Sequence, residues 1–248
     1  DRSQGVLTLT LNRADKKNAL TREMYGDMGD AVAAAENDGS IRAIIIQGSA
    51  DCFTSGNDVS DFIKNERTGT DSPVYRFLKA VCHASKPLIA AVNGPAIGLG
   101  CDLACLADMR IASNRAKFGV TFLKLGLVPG DGGTWLLPRV IGEARAAELF
   151  FTGDVIDAAT MQDWGLVSRV VEPDALMDEA LALAEKVAAM PPAALRQTKM
   201  MLRQGRGLSY DGALELAAST QGLMHHTADH AEGVAALIEK RAPDLLGE

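Results

Sequence analysis

The sequence predicts an α/β fold in which a spiral of strand and helix units is followed by a helical C-terminal region. Strands alternate with helices through the first half, whereas the second half is almost entirely helical, with Leu166 to Val171 (LVSRVV) as its one convincing strand. In addition, Ile41 to Ile46 (IRAIII) and Leu88 to Val92 (LIAAV) are nearly continuous apolar runs, the pattern of parallel strands covered on both faces.

Each element has its own signal. Val6 to Leu11 (VLTLTL) alternates apolar residues with threonine, which reads as a strand. Thr21 to Glu36 carries Met24, Met28, Ala31, Val32 and Ala35 at helical spacing. Pro73 opens a second helix through about Cys82, a helical stretch follows at Leu99 to Ala107, and Met109 to Ala112 is another strand. After Pro173 come Asp174 to Met190, Pro192 to Gln204, Ser209 to Met224 and Thr227 to Arg241, with Gln204 to Ser209 (QGRGLS) as a hinge. Each of these helices has an apolar stripe that must be buried against the spiral or another subunit. The chain therefore divides into a core over residues 1–190 and a helical region over 191–248 for subunit packing, without a clean sequence repeat.

Composition narrows the function. With 248 residues, 47% of them hydrophobic, the chain is large enough to bury a sizeable core and is not disordered. No apolar run approaches the roughly 18 residues of a membrane span. A net charge of −7 and an aromatic content of 5% argue against a nucleic-acid partner. The four cysteines, Cys52, Cys82, Cys101 and Cys105, show no CxxC spacing and read as free thiols of a reducing compartment. The chain starts at Asp1 without a basic and apolar leader, and a cytoplasmic location is the expectation.

Three loops concentrate the chemistry. Asn93 to Asp102 (NGPAIGLGCD) runs from a buried strand into a helix, so Gly94, Gly98 and Gly100 let backbone approach a ligand while free amides at the helix start favour a negative oxygen. It lacks the third glycine of a dinucleotide fingerprint, and no GK[ST] or GxSxG motif occurs. A second loop, Asp51 to Asp58 (DCFTSGND), also leaves a buried strand; if the two strands are neighbours, amides from both loops can converge on one oxygen, the arrangement that stabilises an enolate or a tetrahedral intermediate. The third loop, Gly126 to Thr134 (GLVPGDGGT), holds one acid, Asp131. Asp131 is either a proton carrier or a helix N-cap; Asp102 is either a proton carrier or a complement to its helix dipole. His226 and His230 are four apart without the carboxylate or thiol that would complete a metal site, and Cys101 and Cys105 lie on an apolar helix where packing is their ordinary role.

Together the loops resemble the enoyl-CoA hydratase/isomerase (crotonase) family over nearly the whole chain. PLIAAVNGPAIGLGCDLACLADMRIAS, AKFGVTFLKLGLVPGDGGTWLLPRVIG, FTGDVIDAATMQDWGLVSRVV and EGVAALIEKRAP follow the family pattern in order. The resemblance implies a crotonase-like spiral of ββα units and a helical C-terminal trimerisation region, often in a dimer of trimers. It also implies an acyl-CoA thioester substrate, with coenzyme A as part of the substrate, no bound cofactor and no metal. Its two oxyanion amides fall on the backbone N–H groups of Asn57 and Leu99. Phe53, Gly56, Asp58 and Gly98 fall on substrate-binding backbone, with Arg13 or Lys17 near the coenzyme A phosphates.

The departures from the family pattern set the expected chemistry. A typical family hydratase uses two glutamates, and their positions here are Asp102 and Phe122. Syn hydration needs a carboxylate to activate water and another group to deliver the α-proton, whereas a 1,3 proton shift needs one base that reaches both carbons. The stretch FLKLGLVPGDGGTWLLPR is similar to the branch containing phenylacetyl-CoA-pathway isomerases, whose acid directly follows the proline, while here Gly130 intervenes and Asp131 comes one place later. Family members that isomerise dienes carry an aspartate at the position of Asp102. The expectation is an isomerase that forms a thioester enolate, with Asp131 or Asp102 moving protons and Phe122, Trp135, Leu123 and Leu136 supplying an apolar surrounding. Hydration by Asp102 and Asp131 as a pair, an inactive acyl-CoA binder, and thioester hydrolysis are the alternatives.

Overall fold

A computed structural model describes residues 2–60 and 70–245; the outermost ends of the two predicted units, residue 1 and residues 246–248, lie outside it. Strand β1 (Arg2–Ser3) pairs antiparallel with β2 (Val6–Leu11), and from there a parallel sheet runs through β3 (Ala43–Gly48) and β4 (Leu88–Val92). A second sheet starts with β5 (Pro95–Ile97). The first sheet then continues with β6 (Met109–Ser113), the second with β7 (Lys117–Gly119) and β8 (Val155–Asp157), and β9 (Arg169–Val171) closes the edge of the first. The result is a six-stranded sheet in the order β1-β2-β3-β4-β6-β9 and a three-stranded one in the order β5-β7-β8.

Between the strands lie α1 (Arg22–Glu36), α2 (Pro73–His83), α3 (Leu99–Leu106), α4 (Gly133–Ile141), α5 (Glu143–Thr152) and α6 (Ala158–Asp163). The C-terminal region follows as α7 (Leu176–Ala188), α8 (Pro192–Gln204), α9 (Tyr210–Met224) and α10 (Ala228–Glu239), with a 3-10 turn at Gly205–Gly207 where the hinge was expected. Helices α1, α9 and α10 each begin one residue after the expected start because Thr21, Ser209 and Thr227 are N-caps, whose hydroxyls accept from Met24, Gly212 and His230 N–H.

The spiral is a structural repeat that the sequence conceals. A strand of the large sheet is followed by an extended segment in the small sheet and then by a helix: β4, β5 and α3 form one turn, and β6, β7 and α4 begin the next. The earlier turns contribute only isolated bridges, Thr54 to Ala96 and Leu20 to Asn57, which prolong the small sheet toward the N-terminal end. Strands β5, β7 and β8 escape sequence detection because three residues are too few to show a period. Strand β3 starts at Ala43 rather than Ile41, since the Ile41 N–H closes a turn on Asp38, and it extends to Gly48 to match Leu11 of β2. Of the expected strand 166–171 only Arg169–Val171 pairs; the Leu166 and Val167 amides turn back to the Met161 carbonyl, so their apolar side chains are core rather than strand.

The large sheet is covered on both faces, as its apolar runs require. Ile44, Ile46, Leu88, Ala90 and Val92 pack with residues of α1, α2 and α3. The alternate residues Ala43, Ile45, Ile89, Ala91 and Ile111 pack against Leu176, Ala180 and Ala184 of α7, whose alanines allow close approach. Behind them an ionic cluster ties α8 to the sheet: Asp108 accepts from the Leu88 N–H at 2.8 Å and from Lys199 at 2.6 Å, and it pairs with Arg203 at 3.2 Å. No helix among the described residues is long and apolar enough to cross a membrane. Since Asp108 is the common anion of two cations, one of them nearly buried, Asp108→Ala should destabilise the fold by about 2–4 kcal/mol, measured as a shift of the urea midpoint at constant slope.

Candidate active site

The site is built where the small sheet meets the first turns of α3 and α4. Thr54 N–H donates to Pro95 O at 3.0 Å and Ile97 N–H to Thr54 O at 3.0 Å, which sets the 51–57 loop parallel to β5. Asn57 and Leu99 each lie three residues beyond the bridged pair Thr54 and Ala96, so both loops leave the bridge in the same direction. A Cβ built on Gly56 would stand 3.8 Å from the Leu99 nitrogen and 2.8 Å from Ile97 O, a space that, with φ at +96°, only glycine fits. Leu99 is the first residue of α3, ahead of the i→i−4 ladder, and Asn57 N–H faces away from the Leu20 bridge. Among the described residues neither N–H has an acceptor. The two loops expected to converge thus run side by side at the Thr54–Ala96 bridge, with Gly56 packed against the start of α3.

The loop carrying Asn57 is pinned by a residue that sequence reading passed over. Asn18 is fully buried in the left-handed region at φ 52°. Its Nδ2 donates to Ser49 O at 3.0 Å and Cys52 O at 2.7 Å, and its carbonyl accepts from Thr54 Oγ1 at 2.7 Å. Thr54 Oγ1 in turn accepts from Gly56 N–H at 3.0 Å. A buried asparagine is found in sequence only by knowing which backbone groups lack partners, and nothing local signals that.

The two acids come together. Asp102 lies in the first turn of α3, fully buried, and neither carboxylate oxygen has a hydrogen-bond partner among the described residues. Its carboxyl fills the space left by Gly133: a Cβ there would lie 2.1 Å from Asp102 Oδ1. Asp131 stands two residues before Gly133 and caps nothing, because the α4 N-cap is Gly132, at φ 88°, without a side-chain bond. Burial pushes the Asp102 carboxyl up to about 8, with the negative charge of Asp131 adding to the rise. The less enclosed Asp131 is raised by burial to about 6. Both carboxyls are therefore raised, and the more enclosed Asp102 keeps its proton to higher pH than Asp131.

The remaining predicted residues divide. Phe122 is buried with its ring tip 3.6 Å from where a Cβ of Gly98 would be, so it packs against the turn that leads into α3. Phe53 belongs to the core, which leaves only its backbone available. Asp58 pairs with Arg13 at 2.5 Å and accepts from Ser60, and these bonds hold its carboxyl well below the ordinary range. Arg13 is therefore committed to the loop itself. Trp135 is half exposed and lies under the Arg139 guanidinium at 4.1 Å. Leu136 is core and Leu123 is exposed. The structure pairs His225 with His230 at 3.1 Å rather than His226 with His230, and no group of three metal-ligating side chains occurs among the described residues. All four cysteines are unpaired thiols.

Comparison with known proteins places these features in a family context. The family model described as Enoyl-CoA hydratase/isomerase matches residues 1–247. Among curated relatives, 1,2-epoxyphenylacetyl-CoA isomerase of Escherichia coli K12 is 37% identical, over 99% of this chain and 96% of its own length. The 2,3-dehydroadipyl-CoA hydratase of the same organism is 38% identical, over 99% and 97%. A solved structure of enoyl-CoA hydratase from Mycobacterium tuberculosis H37Rv superposes with a TM-score of 0.94 at 33% identity, covering 100% of this chain and 98% of that one.

Two outcomes follow from the buried acid. Gly133→Ala should cost about 1–3 kcal/mol by driving a methyl into the Asp102 carboxyl, seen as a lower melting temperature. Because the folded chain holds the Asp102 proton up to about pH 8 while the unfolded chain releases it near the ordinary 3.8, stability falls as pH rises through that window. Asp102→Asn should therefore gain melting temperature relative to the wild type on going from pH 4 to pH 9, and parallel pH profiles of the two proteins would show that Asp102 is ionised throughout.

Proposed function

The chain belongs to the enoyl-CoA hydratase/isomerase family, and we propose that within it this protein moves the double bond of an enoyl-CoA thioester. The observation that carries this reading is the occurrence of two acceptor-free amides with a buried, unpartnered Asp102 carboxyl in the first turn of α3 and the apolar Phe122 against Gly98.

The thioester oxygen accepts hydrogen bonds from Asn57 and Leu99 N–H, worth several kcal/mol as charge moves onto it. This lowers the acidity barrier at the carbon next to the carbonyl. The Asp131 carboxylate removes that C2 proton, the electrons spread over a dienolate whose negative charge rests on the thioester oxygen, and the proton is returned at C4 to leave the conjugated 2-enoyl product. Asp102 stays protonated beside it, so the dienolate never faces two carboxylates. Phe122, in place of a second carboxylate, gives no help in activating water, which favours the proton shift over hydration. Backbone of Phe53, Gly56, Asp58 and Gly98 lines the route for coenzyme A, with no cofactor beyond the coenzyme A of the substrate.

The unpartnered apolar residues Leu214, Leu223, Leu237 and Ile238 on α9 and α10 support a homotrimer, alone or paired as a dimer of trimers. Sedimentation at micromolar concentration should give a species of at least three chains, and a monomer would contradict it.

Incubation with a 3-enoyl-CoA in deuterated water should give a conjugated product, seen in the ultraviolet, without net addition of water by mass. Hydrated product would instead assign Asp102 and Asp131 as a hydratase pair, and binding without turnover would make the protein an inactive acyl-CoA binder. Asp131→Asn should lower kcat by roughly 100-fold or more. The wild-type profile of kcat/KM should be bell-shaped, rising as Asp131 ionises near 6 and falling as Asp102 loses its proton near 8. Full activity in both Asp131→Asn and Asp102→Asn would overturn the assignment of either acid.

A further inference from the structure

We propose that Tyr25 is a positioning residue for the oxyanion hole, acting through the side chain of Asn57. The proposal rests on Asn57 N–H being an oxyanion donor, and it adds a control that the proposed reaction does not itself require.

The phenol of Tyr25, on α1, donates a hydrogen bond to Asn57 Oδ1. Tyr25 is almost wholly buried, and its ring lies tilted against Phe77 of α2 with centroids 5.6 Å apart. Phe77 is itself fully buried, so the phenol is an immobile reference point. The peptide unit joining Gly56 to Asn57 carries Gly56 O at one end and the donor N–H at the other. Glycine makes that unit soft, because rotation on the Gly56 side meets no Cβ. Two contacts oppose rotation on the Asn57 side. Leu20 N–H donates to Gly56 O at 2.8 Å, and Leu20 O accepts from Asp58 N–H at 2.9 Å, which holds the peptide on either side of Asn57. The Tyr25 bond holds Cβ of Asn57 from a third direction and thereby fixes the tilt of its N–H. An alanine at position 57 would keep the donor and lose this tether.

The effect is one of aim rather than of added charge. An oxyanion donor contributes fully only when its hydrogen points at the place where negative charge develops. Removing the phenolic oxygen leaves the ring packing intact and frees the carboxamide, so the loss should appear in kcat and in the polarisation of the bound carbonyl, with little change in binding.

The test is a double-mutant cycle on the full chain with a 3-enoyl-CoA, run alongside isotope-edited infrared spectra of a saturated acyl-CoA labelled with carbon-13 at the carbonyl. Tyr25→Phe should lower kcat about tenfold with KM within about twofold, and should move the bound carbonyl stretch back toward its value in free solution. Asn57→Ala should do the same, and the double variant should be no slower than Asn57→Ala alone. Additive losses, or a Tyr25→Phe protein with wild-type kcat and carbonyl stretch, would overturn the proposal and leave the reaction assignment standing. A wild-type stretch unchanged on binding would instead remove the oxyanion hole, and this inference with it. Should Tyr25→Phe fail to fold, Asn57→Ala and Asn57→Gln decide the matter. Gln keeps an acceptor at the wrong reach, so wild-type kcat and carbonyl stretch in both variants would refute the tether.

Discussion

The parallel bridge between Thr54 and Ala96 is the interaction on which the site depends. It carries the register that β3 and β4 set in the large sheet onward into the loop, where the 51–57 segment runs beside β5. A slip of one residue would put Gly56 or Asp58 opposite Leu99 and point the wrong peptide at the substrate. The bridge is reinforced from both sides. Asn18 and Thr54 tie the loop to the first turn of the spiral. The absence of a side chain at Gly94, where a Cβ would meet Asp51 O at 1.9 Å, lets the loop settle onto the strand end. Backbone geometry, rather than any reactive side chain, is what three turns of the spiral are arranged to produce.

The electrostatics follow from the same compactness. Asp102 projects from the first turn of the helix that Leu99 opens, so the backbone that presents the acceptor-free Leu99 amide also carries a buried carboxyl. Once enclosed it cannot be charged cheaply, and a second acid beside it makes charging harder still. Asp131, less enclosed, takes the negative charge first. The two raised carboxyls are thus unequal, by depth of burial and by the charge of one on the other, which is the division the proposed proton shift uses.

How much of this could be read from the residues depends on the length scale of each signal. The strands LIAAV and VLTLTL were legible to the residue because burial on one or both faces writes a pattern five or six residues long. The loops bearing Asn57 and Leu99 were legible because glycine next to a strand end has few uses. Strands β5, β7 and β8 were not, and with them went the second sheet and the structural repeat, since a three-residue strand is specified by its partners rather than by its own composition. For Asp131 the sequence left a choice between N-cap and proton carrier, and the left-handed Gly132 took the capping position instead. Asn18 and Tyr25 were invisible for a common reason: each acts by reaching backbone or a side chain more than 30 positions away, as the Asn18 to Cys52 and Tyr25 to Asn57 bonds show.

A carboxyl without a hydrogen-bond partner in a packed interior is a destabilising feature, and its persistence is itself informative. A fold of this size could tolerate the few kcal/mol involved, since the sheet is covered on both faces and the helices that cover it are themselves well packed. But an asparagine or leucine at the same place would be less costly at neutral and alkaline pH, and a solvated carboxylate would titrate too low to carry a proton near neutrality. Only a carboxyl kept dry, with room for no side chain at Gly133 and no donor within reach, keeps its proton toward neutral pH. What would look like a defect in a structural core is, beside two unoccupied amides, what the proposed proton shift requires.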